Sequence, residues 1–88
     1  MAGPYTIRHS PEFSQLVATL SEQAHAELAA VYRALVRGPL PGQSLLAVEP
    51  YSAVPNTYTV PFRDGLLIYV VPPGKRVVGM VDMVGVQP

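Results

Sequence analysis

Hydrophobic and polar positions follow two rhythms along this chain. From Tyr5 to His9 (YTIRH) they alternate, the two-residue period of a strand with one face buried. The rhythm then lengthens. Phe13, Leu16, Val17 and Leu20 recur at i, i+3, i+4 and i+7, one apolar stripe of a helix. Ser10-Pro11-Glu12 supplies its N-cap, its first-turn proline and an acid for the positive helix end. Ser21-Glu22 opens a second helix with Ala24, Leu28, Val31 and Leu35 on one stripe. Arg33 and Arg37 suit its C-terminal end, and Gly38-Pro39 stops it. So short a junction predicts an antiparallel helix pair.

Beyond residues 38–43 (GPLPGQ), a turn-rich connection, SLLAVE from Ser44 to Glu49 is predicted to be a strand. Pro50 to Asn56 is read as a loop. Alternation returns with Tyr58, Val60 and Phe62 set against Thr59, Pro61 and Arg63, before Asp64-Gly65. Asp-Gly predicts a type I′ hairpin turn, since glycine takes positive φ without a steric penalty. The returning segment, Leu66 to Val71, is apolar without a break, which predicts a central strand covered on both faces. Pro61 lacks an N–H, so its strand must leave that side unpaired or bulged. Pro72-Pro73-Gly74-Lys75 is a stiff turn, and Arg76 to Val86 reads as the last strand, with Gly79 and Gly85 permitting bulges or close approach of another backbone. Residues 1–4 are expected to fray.

The order is strand, helix, helix, then three or four strands. It predicts an α+β domain over residues 1–88, βααβββ(β), with a helical hairpin on one face of a largely antiparallel, twisted sheet.

Composition narrows the functional classes. Of 88 residues only 14% are charged, against an ordinary share of about 25%. That leaves apolar surface exposed, for a partner or a second copy to cover. Six Lys and Arg balance six Asp and Glu, so no surplus of charge draws in nucleic acid. The absence of cysteine removes disulfides, thiolate metal sites and a Cys nucleophile. There is no leader pattern and no run of about 18 apolar residues, so the expectation is a cytoplasmic protein without a membrane span.

Four stretches together resemble the RelE/ParE superfamily of toxins from bacterial type II toxin–antitoxin pairs. YTIRHSPEF resembles the opening strand and its Ser-Pro-acid helix start. LVATLSEQAHAELAAVYRAL resembles the helix pair, NTYTVPFRDGLLIYVV the central hairpin and RVVGMVDMVGV the closing strand. Tyr58 and Tyr69 match the framework tyrosines. The resemblance implies an antitoxin partner and, in the RNA-cutting members, ribosome-dependent mRNA cleavage. The chain departs from the cutting pattern. Thr59, Pro61 and Leu66 stand where that family usually has arginines, and the tail Val84-Gly85-Val86-Gln87-Pro88 offers no acid, base or stacking ring.

Cleavage by RNA transesterification needs a base for the 2′-hydroxyl, an acid for the leaving oxygen and cations at the phosphate. Arg63, Lys75 and Arg76 are the candidates. They flank successive turns at opposite ends of one strand, which does not converge them. His9 and His25 lack the spacing of a metal site and read as surface or capping residues, so no metal is expected. No glycine-rich phosphate loop or nucleophile elbow implies a cofactor or an acyl-transfer site. Tyr5, Tyr51, Tyr58 and Tyr69 read as core tyrosines with a polar tip rather than a base-stacking platform.

The first functional reading is therefore a toxin-like protein that works by binding its antitoxin, with RNase activity ranked below it. The alternative is a non-toxic structural or interaction domain, a homodimer that shares only the fold. A small enzyme with an apolar pocket between helices and sheet comes last, because no catalytic constellation supports it.

Overall fold

The computed structural model describes residues 4–52 and 54–88. Residues 1–3 of the segment expected to fray, and Ala53 of the 50–56 loop, lie outside the described residues. The elements are β1 (Thr6–His9), α1 (Pro11–Ala18), α2 (Glu22–Arg37), β2 (Glu49–Pro50), β3 (Thr57–Phe62), β4 (Gly65–Val70) and β5 (Val77–Val84). The sheet order is β1-β5-β4-β3-β2. β1 runs parallel to β5, and every other pairing is antiparallel. The apolar run therefore does form the middle strand, β4.

Both helices start on their serines. The Phe13 N–H donates to Ser10 Oγ and the Ala24 N–H to Ser21 Oγ, each at 3.1 Å. Phe13 from α1, Leu20 from the junction after it, and Ala24, Leu28 and Leu35 from α2 are buried against one face of the sheet. From the sheet they meet Val60, Phe62, Leu67, Tyr69, Val78 and Met80. Burying side chains of this size contributes about 1.5–3 kcal/mol each. Tyr69 adds a polar tie: fully buried, its hydroxyl donates to the Pro39 carbonyl at 2.6 Å, fastening the chain after α2 to the middle strand.

Three expectations need correction. Residues 44–48 are not a strand. Ser44 N–H donates to the Leu40 carbonyl, Leu46 N–H to Ser44 Oγ and Val48 N–H to the Leu46 carbonyl. These local bonds occupy the groups a ladder would need, and pairing begins only at Glu49 opposite Thr59. The hairpin loop is Arg63-Asp64, one residue earlier than the Asp-Gly signal suggested. Phe62 pairs with Gly65, and Arg63 itself takes φ 54°. Gly65 is required for another reason. A Cβ there would run into the Val84 carbonyl and the Gly85–Val86 backbone, so it lets the C-terminal segment cross the hairpin. Finally, the irregularity in β5 falls at Val81, between the Ile68–Asp82 and Tyr69–Met80 pairs, rather than at Gly79, which pairs regularly with Val70.

Pro61 sits as its missing donor requires. The pair closing a two-residue hairpin exchanges hydrogen bonds, so at the next pair, Pro61–Leu66, the nitrogen faces away from β4. β2 reaches only as far as Tyr58 and Thr59, so that side carries no ladder partner.

Candidate functional site

Strand alternation sorts the sheet's side chains into two sets. Ile7, Tyr58, Val60, Phe62, Leu67, Tyr69, Val78 and Met80 turn to the helices. The opposite face carries Thr59, Pro61, Leu66, Ile68, Val70 and Val84, paired across strands as Thr59–Ile68, Pro61–Leu66 and Leu66–Val84. Among the described residues no helix covers this face. Ile68 is shielded by its neighbours, but Leu66 is 39% exposed and Val84 52%. The expectation of a middle strand covered on both faces thus holds only on the helix side. Val81, pushed out by the bulge, is another exposed apolar residue, at 39%.

The charged residues on this open face are dispersed. By register, Arg8 lies opposite Gly79 at the β1 edge, Asp82 opposite Ile68 and Glu49 opposite Thr59. Thr59, Pro61 and Leu66 form a neutral patch in the middle.

The candidate cations are placed elsewhere. Arg63, on the β3–β4 turn, reaches to the helix side and bonds Glu27 at 2.7 Å. Glu27, Arg63, Asp64 and Gln87 line a shallow polar hollow of about 380 Å³. Two carboxylates against one guanidinium do not make an anion site. Lys75 and Arg76 lie beyond the other end of β4, where at about 3.3 Å per residue the two turns are separated by roughly 20 Å. The Arg76 guanidinium stacks 5.2 Å from the Tyr5 ring centroid. Among the candidates the structure brings together only Lys75 and Arg76.

Of the tyrosines read as core, Tyr69 is fully buried and Tyr5 and Tyr58 pack against the core, whereas Tyr51 is 40% exposed in the loop after β2 and is not a core residue. Tyr58 and Tyr69 rings lie 6.0 Å apart on the helix face. Burial pushes the Tyr69 phenol well above its ordinary range, with the Tyr58 phenol beside it adding to the shift. Burial does the same to Tyr32. Both stay protonated and are poor bases. His9 is exposed, and its Nε2 lies 2.7 Å from the Tyr32 hydroxyl. His25 is exposed on α2.

Glu27, Gln87 and Tyr32 escaped the sequence reading. Glu27 and Arg63 are 36 residues apart and no local pattern joins them. Tyr32 follows Val31 on the α2 stripe, so helical periodicity could have found it.

No protein-family model and no curated protein sequence matches the chain. Among solved structures, a chain of the archaeal RelE–RelB complex from Pyrococcus horikoshii OT3 superposes with a TM-score of 0.75 at 15% identity. The match covers 91% of this chain and 92% of that one. The fold is RelE-like: two helices with a five-stranded mixed sheet. Among the described residues no helix is long and apolar enough to cross a membrane.

Proposed function

We propose that this chain is a single RelE/ParE-like domain, residues 1–88, acting in the cytoplasm as the toxin-like half of a toxin–antitoxin pair through protein binding. The observation that carries this reading is the open sheet face. Its centre is apolar, with Leu66 39% and Val84 52% exposed beside a buried Ile68, and its few charges do not gather. Such a patch gains by excluding water against an apolar partner surface, whereas a phosphate backbone needs converging cations. The likeness to a chain of a RelE–RelB complex supports a partner of the antitoxin kind. Ribosome-dependent mRNA cleavage stands outside the proposal, since Arg63 is paired with Glu27, Arg76 stacks on Tyr5 and Lys75 sits on the β4–β5 turn, away from Arg63.

The test is co-purification with the product of an adjoining short reading frame. Stable complex formation with wild type, lost in Leu66→Glu and Val84→Glu, supports the reading. A complex indifferent to both substitutions overturns it. A concentration-dependent homodimer that the same substitutions dissociate, with no second protein bound, favours the structural domain instead. Growth arrest with mRNA cut at defined codons on overexpression restores the nuclease.

A further inference from the structure

The charges are sorted along the molecule. The Tyr5 N–H donates to the Val36 carbonyl and the Thr6 N–H to the Arg76 carbonyl, each at 2.9 Å. The start of β1 is thus stitched between the end of α2 and the β4–β5 turn. This gathers Arg33, Arg37, Lys75 and Arg76, four of the six cations, at one end of the fold. Glu22, Glu27 and Asp64 lie towards the other, near the start of α2 and the β3–β4 turn.

Within the basic end is a groove of about 260 Å³ lined by Arg33, Ala34, Arg37 and Leu45. Arg33 and Arg37 are exposed, one helical turn apart on the same face of α2, and neither has a carboxylate partner among the described residues. Ala34 gives the groove a low floor. Leu45 forms its rim and is 88% exposed. The loop that carries Leu45 is not slack. Gln43 and Ser44 N–H groups donate to the Leu40 carbonyl, Leu40 N–H to Gln43 Oε1, and Leu46 N–H to Ser44 Oγ. The helix dipole explains a cation at Arg37 but not a leucine held in water beside two arginines.

We infer that this groove docks an acidic amphipathic helical segment of a partner protein. Carboxylates at i and i+4 of that segment would meet Arg33 and Arg37, and an apolar side chain between them would pack on Ala34 and Leu45. Charge complementarity selects the acid, and the aliphatic rim selects protein over nucleic acid, because the groove offers no ring on which a base could stack. The site lies on α2, apart from the open sheet face, so it goes beyond the partner surface proposed above and is tested separately.

The probe is a fluorescein-labelled synthetic peptide of alternating Glu and Leu pairs, about 15 residues long so that helix can form. Fluorescence anisotropy should show saturable micromolar binding. Arg33→Glu with Arg37→Glu should weaken it at least ~10-fold by reversing both contacts, and Leu45→Ser roughly 5-fold by removing the apolar rim. Arg8→Glu on the open sheet face should leave it unchanged, and circular dichroism should show every variant folded. Absence of saturable binding overturns the inference, as does binding insensitive to the α2 and Leu45 substitutions. Tighter, equally substitution-sensitive binding of a single-stranded RNA oligonucleotide or of phosphatidylglycerol vesicles also overturns it, by assigning the groove to another class of ligand.

Discussion

The Arg63 guanidinium lies 2.7 Å from the Glu27 carboxylate, joining the tip of the central hairpin to the first half of α2. The contact disposes of the one candidate cation near that end of the sheet. It also sets up a measurable competition, because Arg63 occupies a left-handed backbone conformation, φ 54°. An exposed ion pair contributes about 0–1 kcal/mol, and left-handed backbone at a residue with a Cβ costs roughly 1–2 kcal/mol. Arg63→Ala loses the pair and keeps the strain, while Arg63→Gly loses the pair and relieves it. Urea denaturation should therefore find Arg63→Gly more stable than Arg63→Ala by ~1 kcal/mol. Equal stabilities would mean that the turn does not hold this conformation.

The helix caps provide a second check on local structure. Ser10 and Ser21 each accept a hydrogen bond from the third residue beyond them. Replacing either by alanine should lower stability by ~1 kcal/mol, and by glycine only a few tenths. Thermal melts of the four variants decide the matter, and a loss that is the same for alanine and glycine would show that the hydroxyls are not capping.

These caps were legible from the sequence because their causes are local. A serine before Pro-Glu, or before Glu-Gln-Ala, states its role within one turn. The α2 stripe and the place of β4 were legible too, since periodicity and an unbroken apolar run depend on solvent alone. What escaped the reading depends on distant partners. Gly65 was taken for a turn residue, whereas its want of a Cβ admits the Val84–Val86 backbone. The parallel pairing of β1 with β5 joins segments some seventy residues apart and leaves no mark on either. Leu46 and Val48 are apolar because they pack on the core from an irregular loop, and a run of apolar residues cannot be told from a strand on that ground. At the candidate site, the scatter of cations was visible from turn positions. The Glu27 partner of Arg63 and the exposure of the β4 outer face were not.

Gly65→Ala tests the crossing directly. The added methyl would meet backbone on three sides rather than the end of a flexible side chain. Relief requires the tail to lift from the hairpin, which withdraws Val86 from the core edge. The expected loss is ~2–3 kcal/mol, at the upper end for overpacking, with faster amide exchange at residues 84–86. A stable Gly65→Ala protein with unchanged exchange would contradict the close approach.

Tyr69 gives the pH dependence. Its phenol is buried, bonded to the Pro39 carbonyl, and raised in pKa first by burial and then by Tyr58. In the unfolded chain it ionises near the ordinary value of about 10. The folded value lies above the unfolded one, so the unfolded state releases its proton first as pH rises. The stability due to the neutral buried phenol is thus complete below pH ~10, and is lost at up to ~1.4 kcal/mol per pH unit above it. Tyr69→Phe removes both the hydrogen bond and the titration. At pH ~8 the variant should be less stable by ~1–2 kcal/mol, because the Pro39 carbonyl loses its donor in a buried place. Above pH ~10 wild type should decline more steeply, so the gap narrows and by pH ~11 closes or reverses. Tyr32 remains in both proteins, and its own alkaline contribution largely cancels from the difference. Parallel stability curves from pH 8 to pH 11 would show that Tyr69 titrates alike in the folded and unfolded chains, and that its hydroxyl is not held in the core as the bond to Pro39 requires.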